Sequence, residues 1–233
     1  MNTRESKRFG IAFDLEGPVV NVESIHHRAH YEVASHVGLK LDFDSALAQL
    51  PHFIGGPDLA VALEIYNLSN KNLTPEQIEQ LKQKLYDELL QTTEITPREG
   101  FLKFFDKLRV LGIPTAIGSS TPNGRALVLL ERSGVAAIID RNRIVLQEDV
   151  SQEKPHPDVY LETARRMAVA PQNQIVFDDS SRGIKSAHSA GSLPIGLVTF
   201  DKEEIIKNLK AAGALIVYKS WEEIKIDEIF GLV

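Results

Sequence analysis

Short apolar runs recur along the chain, and each leads into a segment with the periodicity of a helix. Five runs have the length of buried strands: 9–13 (FGIAF), 114–118 (PTAIG), 174–177 (QIVF), 194–198 (PIGLV) and 214–218 (ALIVY). Between them, apolar residues repeat at helical spacing: Phe101, Phe104, Phe105 and Leu108, then Leu127 and Leu130, then Tyr160, Leu161, Ala164 and Met167. Such alternation predicts an α/β fold, Rossmann-like, with a mostly parallel sheet and helices on both faces.

Residues 22–96 interrupt this alternation, because they show helical patterns and no convincing strand. The clearest helix follows Thr74, an N-cap residue with Pro75 after it and Gln77 at the capping-box position. Its apolar stripe is Ile78, Leu81, Leu85 and Leu89. Further helices are predicted over residues 22–37 and 58–68. We therefore predict a discontinuous core domain, residues 1–21 and 97–233, with an all-helical cap domain inserted at residues 22–96.

The composition is that of a globular protein in a reducing compartment. Of the 233 residues, 43% are hydrophobic, 25% are charged and none is cysteine, so disulfides are excluded and a cytoplasmic location is expected. A net charge of −6 argues against nucleic acid or an anionic membrane as the partner, and we expect a monomer or weak dimer. The start, residues 1–8 (MNTRESKR), is polar and has no apolar stretch, so we expect no signal peptide there but a short disordered segment.

Carboxylates and hydroxyls stand directly after the first two predicted strands. Asp14 and Glu16 are two positions apart, and on an extended segment their side chains point the same way, so both can face one ligand. Ser119 and Ser120 place hydroxyls and backbone N–H groups just before a helix, where a phosphate binds well. Taken singly, each group is explained at least as well by helix capping or by solvation at a strand end.

A lysine and a second acid pair follow further along the chain. Lys154 precedes Pro155, which holds the lysine in an extended backbone conformation. Asp178 and Asp179 end a buried apolar strand, where paired acids repel unless a cation accompanies them. Mg²⁺ suits such a place, since it binds one or two carboxylates together with a substrate phosphate. N-capping explains one of the two aspartates but hardly both.

The order of these groups is more informative than any one of them. Each stands at the end of a predicted strand or beside one, and the carboxyl ends of parallel strands lie along one edge of the sheet. Together they supply an anionic nucleophile, a proton carrier, phosphate donors, a cation and a metal site. That set is typical of phosphoryl transfer through an aspartyl-phosphate.

With these motifs the sequence closely resembles the haloacid dehalogenase (HAD) superfamily. The matching segments are DLEG at Asp14, GSS around Ser119, EKPHPD at Lys154 and FDDSSRGIKSAHSAG at Asp178. The helical insertion resembles the cap of the β-phosphoglucomutase-like and phosphatase-like branch. The resemblance covers nearly the whole chain. It implies a Mg²⁺-dependent phosphatase for a small phosphorylated metabolite, such as a sugar phosphate.

The resemblance also implies a role for each residue in the matching motifs. Asp14 is expected to attack phosphorus, and Glu16 to act as general acid and base. Ser119, Ser120 and Lys154 are expected to bind the phosphoryl group. Lys154 also neutralises charge between Asp14 and the phosphate, since an anionic nucleophile is otherwise repelled by an anionic substrate.

Four of the acids are implied as the metal site. Asp14 and Asp179 are expected to ligate Mg²⁺ directly, together with the backbone carbonyl of Glu16. Asp178 is expected to lie close by or to act through water. In such a site Mg²⁺ screens the nucleophile from the charge of the substrate.

Glutamate at position 16 departs from the family pattern, in which an aspartate stands there. One extra methylene moves the carboxyl group by roughly an ångström or more, and misplacement of that size can cost about 10²-fold in rate. Glutamate still transfers protons, so a retained acid favours turnover. The alternative is a catalytically impaired binding or regulatory protein on the same scaffold.

The cap sequence bears on the choice between hydrolase and mutase. β-Phosphoglucomutases carry basic residues where this chain has Ile54, Asp58 and Pro122, and an aspartate facing a phosphate is unfavourable. A hydrolase is therefore favoured, with a phosphomutase as the alternative. His26, His52 and Asp58 are the cap residues expected to contact the substrate. His26 matches a mutase histidine that helps to gate proton transfer, and an ordinary linker or capping role is equally open.

Overall fold

Six strands form one parallel sheet in the computed structural model, which describes residues 9–54 and 56–233. The strands are β1 (Gly10–Phe13), β2 (Thr115–Gly118), β3 (Ile144–Val145), β4 (Gln174–Asp178), β5 (Leu193–Leu197) and β6 (Ile216–Tyr218). Their order is β3-β2-β1-β4-β5-β6, so β1 lies between β2 and β4 near the centre. The disordered segment predicted for residues 1–8 lies outside the described residues.

The described part of the chain also contains ten α-helices. They are α1 (Glu23–His36), α2 (Phe43–Gln49), α3 (Asp58–Leu68), α4 (Pro75–Thr92), α5 (Phe101–Val110), α6 (Asn123–Arg132), α7 (Asp158–Met167), α8 (Ser181–Ser189), α9 (Glu203–Ala211) and α10 (Ile226–Phe230). None of these helices combines the length and the apolar character that crossing a membrane requires.

The two faces of the sheet bury different side chains, because successive residues of a strand point to opposite sides. On one face the ring of Phe13 packs against Phe101 of α5 and against Trp221, with ring centroids 5.4 and 5.7 Å apart. On the other face Ala12 belongs to a buried cluster that includes Tyr160 of α7. Helices therefore cover both faces, and the predicted fold class is confirmed.

The predicted pattern and the structure differ in two details. Ile144–Val145 forms a strand that the pattern does not indicate, since two residues are too few to show a periodicity. The pattern predicts Leu127 and Leu161 as core positions, but they are 40% and 41% exposed. In α6 the buried positions are Ala126, Leu129 and Leu130, so Leu130 is confirmed and Leu127 is not.

The chain divides into two compact units. One consists of the described residues up to Asn21 together with Thr96–Val233, and the other is Val22–Ile95, which we call the inserted unit. The described residues of the inserted unit form α1 to α4 and no strand. Its core takes buried apolar side chains from all four helices: Val33, Ala46, Ile65 and Ile78 among them.

Helix α4 begins as its sequence predicts but buries an unexpected residue. The backbone N–H of Gln77 donates to Thr74 Oγ1 at 3.3 Å, and that of Thr74 donates to Gln77 Oε1 at 2.9 Å, which completes the capping box. Leu81 and Leu85, two members of the predicted stripe, are only partly buried. Lys82 beside them is 1% exposed. A buried lysine needs a partner for its charge, and α3 supplies one, as described below.

Two histidines of α1 are buried in the inserted unit and kept neutral. His27 stacks on Phe53 with ring centroids 4.4 Å apart, and His30 meets the same ring at 5.9 Å. Burial, helped by the charge of Lys82, lowers the pKa of His27 to about 4 and that of His30 to about 3. Both side chains therefore resist protonation as long as the helix stays folded.

We expect the inserted unit to lose stability as the pH falls from 7 to 5. When α1 unfolds, His27 and His30 regain a pKa near 6.5, so the unfolded state binds more protons and stability rises with pH in this range. The loss amounts to roughly 1 to 2 kcal/mol for each histidine between pH 6.5 and 5. Amide hydrogen exchange in α1, corrected for the intrinsic rate at each pH, measures it.

His30→Leu is the matched test of this pH dependence. The variant should show a flatter dependence than the wild type, because one of the two groups that bind protons only on unfolding is gone. His36→Gln changes an exposed histidine at the end of the same helix and should behave like the wild type. Equal pH dependence in His30→Leu and the wild type would contradict the expected role of the buried histidine.

Candidate active site

Neighbouring strands end at one edge of the sheet and bring the first predicted site residues there. Asp14 directly follows β1, Ser119 directly follows β2, and Asp178 is the last residue of β4. The backbone N–H of Asp14 donates to the carbonyl of Phe177 at 2.9 Å, and that of Ser119 donates to Val145 at 2.9 Å. These bonds continue the ladders of the sheet beyond the strands and hold the loop ends in place.

Lys154 joins two of the acids. Its Nζ lies 2.6 Å from Asp14 Oδ1 and 2.8 Å from Asp178 Oδ2, and the lysine is 5% exposed. The guanidinium of Arg182 donates to the backbone carbonyl of Lys154, which fixes the segment that carries the lysine. Asp14, Lys154 and Asp178, which are far apart in the sequence, are thus held together by direct contacts.

Burial dominates the electrostatics of this group. It raises the pKa of Asp14 to about 7, with Lys154 opposing the rise and the charge of Asp178 adding to it. Burial also disfavours the charge of Lys154, but the carboxylates of Asp14 and Asp178 outweigh that effect and raise the pKa of the lysine. One lysine therefore leaves the acids of this edge short of positive charge, a deficit that a cation can fill.

Asp178 accepts four hydrogen bonds from the protein and is fully buried. Its Oδ2 accepts from Lys154 and from the hydroxyl of Tyr160 at 2.5 Å. Its Oδ1 accepts from the backbone N–H and the hydroxyl of Ser180, at 2.9 and 2.8 Å. Because both oxygens already accept hydrogen bonds from the protein, Asp178 is better placed to orient the neighbouring groups than to give up an oxygen to a ligand.

The acid cluster has the composition of a magnesium site. Carboxylate oxygens of Asp14, Asp178 and Asp179 all lie within 4.8 Å of one another. Mg²⁺ prefers oxygen ligands at about 2.1 Å, so ligands on opposite sides lie about 4.2 Å apart, within a small side-chain rotation of the spacing here. Asp179 is oriented by Thr199, whose hydroxyl donates to Oδ2 at 2.7 Å. The donor set fits a hard divalent cation.

Two glycines allow the backbone to approach these acids closely. Gly17 has φ +96°, and a Cβ at this position would overlap the carboxylate of Asp179. A Cβ at Gly183, in the first turn of α8, would overlap the carboxylate of Asp178. Any other residue at either place would displace an acid of the cluster or strain the turn.

Glu16 is held by the loop after β2. Its Oε1 accepts a hydrogen bond from the hydroxyl of Thr121 at 2.5 Å. The oxygens of Thr121 and Ser119 are 2.8 Å apart, and the backbone N–H of Thr121 donates to Ser119 Oγ at 3.2 Å. A chain of hydroxyl groups therefore links Glu16, the predicted proton carrier, to Ser119, the predicted hydrogen-bond donor to the phosphate.

The helix after Ser119 offers less to a phosphate than its sequence suggests. The first backbone N–H of α6, that of Asn123, donates to both carboxylate oxygens of Glu148 at 2.9 and 3.1 Å. The hydroxyl of Ser120 accepts from the backbone N–H of Lys154 at 3.4 Å. Ser120 thus connects its loop to the lysine segment, and an acid occupies the helix N-terminus.

The three predicted cap residues fall into two groups inside the inserted unit. Lys82 Nζ donates to both oxygens of Asp58 at 2.8 Å and lies 3.1 Å from His26 Nδ1. Because an ammonium group only donates, His26 is the acceptor in this contact. His52 lies elsewhere, with Nδ1 2.5 Å from Glu64 Oε1.

The charge of Asp58 is balanced within the inserted unit. Burial opposes its ionisation, but Lys82 together with His26 and His30 outweighs burial, and the pKa of Asp58 is lowered. The sequence alone indicates an aspartate that is unfavourable to a phosphate, and the structure adds Lys82, whose ammonium group balances the charge of Asp58. Lys82 escaped notice because it lies beside an apolar stripe and its partner is 24 residues away.

Four hydroxyl groups that hold the acids lie outside the predicted site: those of Thr121, Tyr160, Ser180 and Thr199. Thr121 is two positions after Ser119, and that spacing was its only signal. Tyr160 fits the apolar pattern of α7, and that pattern predicts it only as a core residue. Thr199 comes two residues after β5, at the same edge of the sheet as the acids, so its position along the strand order could have indicated it.

Comparisons with known proteins find a matching family model and named relatives. A family model described as haloacid dehalogenase-like hydrolase matches residues 11–196. Fructose-1-phosphate phosphatase of Escherichia coli is 31% identical over 78% of this chain and 92% of its own length. A phosphorylated carbohydrates phosphatase of Thermotoga maritima is 28% identical over 93% of this chain and 96% of its own length.

Solved structures share the fold over almost the entire length. A HAD hydrolase of family IA, variant 3, from Entamoeba histolytica superposes with a TM-score of 0.79 at 25% identity, covering 96% of this chain and 98% of its own. A β-phosphoglucomutase of Clostridium difficile gives a TM-score of 0.69 at 23% identity, covering 97% of this chain and 96% of its own. The second likeness concerns the fold alone.

Mg²⁺ is expected to raise the melting temperature of the protein after treatment with a chelator. An ion that binds only the folded site stabilises it by about 2.7 kcal/mol at a concentration of about 100 Kd. Asp179→Asn should lose most of the shift, since it removes a carboxylate from the cluster. Differential scanning fluorimetry with increasing Mg²⁺ measures both.

Glu162→Gln is the control for the metal experiment. Glu162 pairs with Arg165 and Arg166 on α7, so the variant removes a carboxylate that is not part of the acid cluster. It should keep the full Mg²⁺ shift even if its own melting temperature is lower. The same Mg²⁺ shift in Asp179→Asn and in the wild type would argue against a metal site at these acids.

Proposed function

The chain belongs to the haloacid dehalogenase-like hydrolases, and we propose that it is a Mg²⁺-dependent phosphatase of a small phosphorylated carbohydrate. The proposed reaction passes through an aspartyl-phosphate on Asp14. The contact of Lys154 with both Asp14 and Asp178, beside Asp179, is the observation that carries the proposal. It supplies a buried nucleophile, a cation next to it and acids for a metal within one cluster.

In the proposed first step Asp14 attacks the phosphorus atom of the substrate. A bond forms between a carboxylate oxygen and phosphorus, and the bond to the ester oxygen breaks. Lys154 lies within 2.6 Å of Asp14 and offsets part of the repulsion between the carboxylate and the phosphate. Ser119 directly follows the neighbouring strand β2, and its hydroxyl is proposed to donate a hydrogen bond to the transferring group.

Glu16 would transfer the proton in both steps. As an acid it gives a proton to the departing ester oxygen, which leaves as a sugar hydroxyl. As a base it then takes a proton from the water that attacks phosphorus, and the bond to Asp14 breaks to release inorganic phosphate. Glu16 is two residues beyond Asp14, in the turn that follows β1, and we propose that both carboxylates reach one phosphoryl group.

Mg²⁺, when bound, would supply positive charge that polarises the phosphoryl oxygens. Asp14 and Asp179, with the backbone carbonyl of Glu16, are the proposed ligands. Asp178 is proposed to orient Lys154 and the neighbouring loop, which its four hydrogen bonds from the protein favour.

The relatives support a carbohydrate as the substrate. Fructose 1-phosphate is named for the E. coli protein and phosphorylated carbohydrates for that of T. maritima. The fold is also shared with a β-phosphoglucomutase, but the relatives from E. coli and T. maritima are both named as phosphatases. We therefore favour release of phosphate over its transfer within a sugar.

Asp14→Asn is expected to abolish phosphate release from a panel of sugar phosphates in the presence of Mg²⁺. Loss of an attacking group typically lowers kcat by at least about 10³-fold. Asp106→Asn makes the same change on the exposed surface of α5 and should leave turnover unchanged. Circular dichroism confirms that both variants are folded, and inorganic phosphate is measured colorimetrically.

Two results would contradict this proposal in different ways. Conversion of a hexose 1-phosphate to the 6-phosphate without net phosphate release, dependent on a bisphosphate, would indicate a mutase. Absence of turnover by the wild type across the whole panel would indicate a binding or regulatory protein.

Glu16→Gln separates proton transfer from phosphorus attack. With a sugar phosphate, whose alkoxide is a poor leaving group, kcat/KM should fall by about 10² to 10⁴-fold. With an aryl phosphate, whose phenolate leaves without a proton, the loss should stay below about tenfold. The ratio kcat/KM reports the steps up to the release of the first product, which is the alcohol or phenol. Equal losses of kcat/KM for both substrates would therefore contradict the role of Glu16 as the acid.

A further inference from the structure

Thr121 is a buried residue whose hydrogen bonds converge on Glu16. It lies in the loop between β2 and α6 and is 7% exposed. Its hydroxyl donates to Glu16 Oε1 at 2.5 Å, the length typical of an O–H group bonded to a carboxylate. A bond of this kind is roughly twice as strong as one between neutral groups.

The available hydrogens fix the direction of the hydroxyl chain. Thr121 has one hydroxyl hydrogen, and it is directed at Glu16. In the 2.8 Å contact between the two hydroxyls, Ser119 is therefore the donor and Thr121 the acceptor. If Ser119 turns its hydrogen to a phosphoryl oxygen instead, Thr121 keeps its own on Glu16. The bond to Glu16 does not depend on what Ser119 binds.

A glutamate needs such a partner more than an aspartate does. Its side chain has one more rotatable bond, so the carboxylate can take more positions and loses more entropy when it is held in one. A reacting group must keep its geometry to well within an ångström to be effective. The hydroxyl of Thr121 donates to Oε1 and so favours one position of the carboxylate.

We propose that Thr121 is a positioning residue, which holds the carboxylate of Glu16 in the place from which it transfers the proton. The proposal rests on the proposed function, because it assigns a role in that reaction. Thr121 acts through Glu16, whose Oε1 accepts its hydrogen bond.

The length of residue 16 decides whether this contact exists. Aspartate is shorter by one carbon–carbon bond of about 1.5 Å, which would take the 2.5 Å contact to about 4 Å, beyond hydrogen-bonding distance. Removing the Thr121 hydroxyl should therefore matter when residue 16 is glutamate and matter little when it is aspartate. A double-mutant cycle measures this dependence directly.

The cycle compares the wild type, Thr121→Val, Glu16→Asp and the double variant. With a sugar phosphate as the substrate, Thr121→Val should lower kcat/KM about tenfold next to Glu16 and less than about threefold next to Asp at that position. Valine has nearly the shape of threonine, so the loss reports the hydroxyl. Thr121→Ser keeps a hydroxyl and should recover most of the rate.

A second measurement separates positioning from general stability. Thr121→Val should lose more activity with a sugar phosphate than with an aryl phosphate, because only the first needs the proton from Glu16. Thr163→Val removes another buried threonine hydroxyl, one bonded to Gln174 and to a backbone carbonyl. It should lower the melting temperature without this dependence on the leaving group.

The outcomes are distinguishable. If the wild type releases phosphate but Thr121→Val has the same effect in both backgrounds, the positioning role is wrong and the proposed function stands. If the wild type releases no phosphate from any substrate of the panel, the proposed function and this role both fail. Should Thr121→Val not fold, Thr121→Ser and Thr121→Ala carry the same comparison.

Discussion

The candidate site depends on one constraint, which is that Asp14 and Asp178 are buried close together with only Lys154 between them. Two buried carboxylates and one ammonium group are costly to remove from water, and the cost is recovered only when every remaining lone pair has a donor. Tyr160 and Ser180 provide those donors for Asp178, and Arg182 fixes the backbone of the lysine. The remaining excess of negative charge lies in the acid cluster of Asp14, Asp178 and Asp179, where a cation can neutralise it and a phosphate can then bind.

The same physics recurs in the inserted unit with a different result. Lys82 is buried, but both of its contacts with Asp58 are 2.8 Å long and the pair is balanced one to one. Such a pair is complete in itself and leaves no charge for a ligand to neutralise. The buried histidines nearby are kept neutral, so they add no charge either. Charge excess thus distinguishes the cluster at the sheet edge from the buried network around Lys82.

Much of this arrangement could be read from the sequence, for a physical reason. A buried parallel strand must be apolar, so an acid or hydroxyl placed directly after it stands out, as Asp14, Ser119 and Asp178 do. Residues that hold these groups in place do not differ from their neighbours in the sequence in this way. Tyr160 satisfies the apolar periodicity of α7 while its hydroxyl bonds Asp178, and Lys82 lies next to a stripe of leucines. Burial of a polar atom depends on a partner far away in the chain, and periodicity carries no information about that partner.

Glu16 shows how a supporting contact can change the meaning of a residue. Judged by length alone, a glutamate at position 16 places its carboxyl group farther from the backbone than the aspartate of the family pattern does. The structure adds Thr121, which lies where the longer side chain ends and accepts a bond from Ser119 in turn. The extra methylene then gives the side chain the length it needs to reach from the turn after β1 to Thr121 in the loop after β2. On this argument the acid and the threonine form one unit, and neither residue is informative about catalysis without the other.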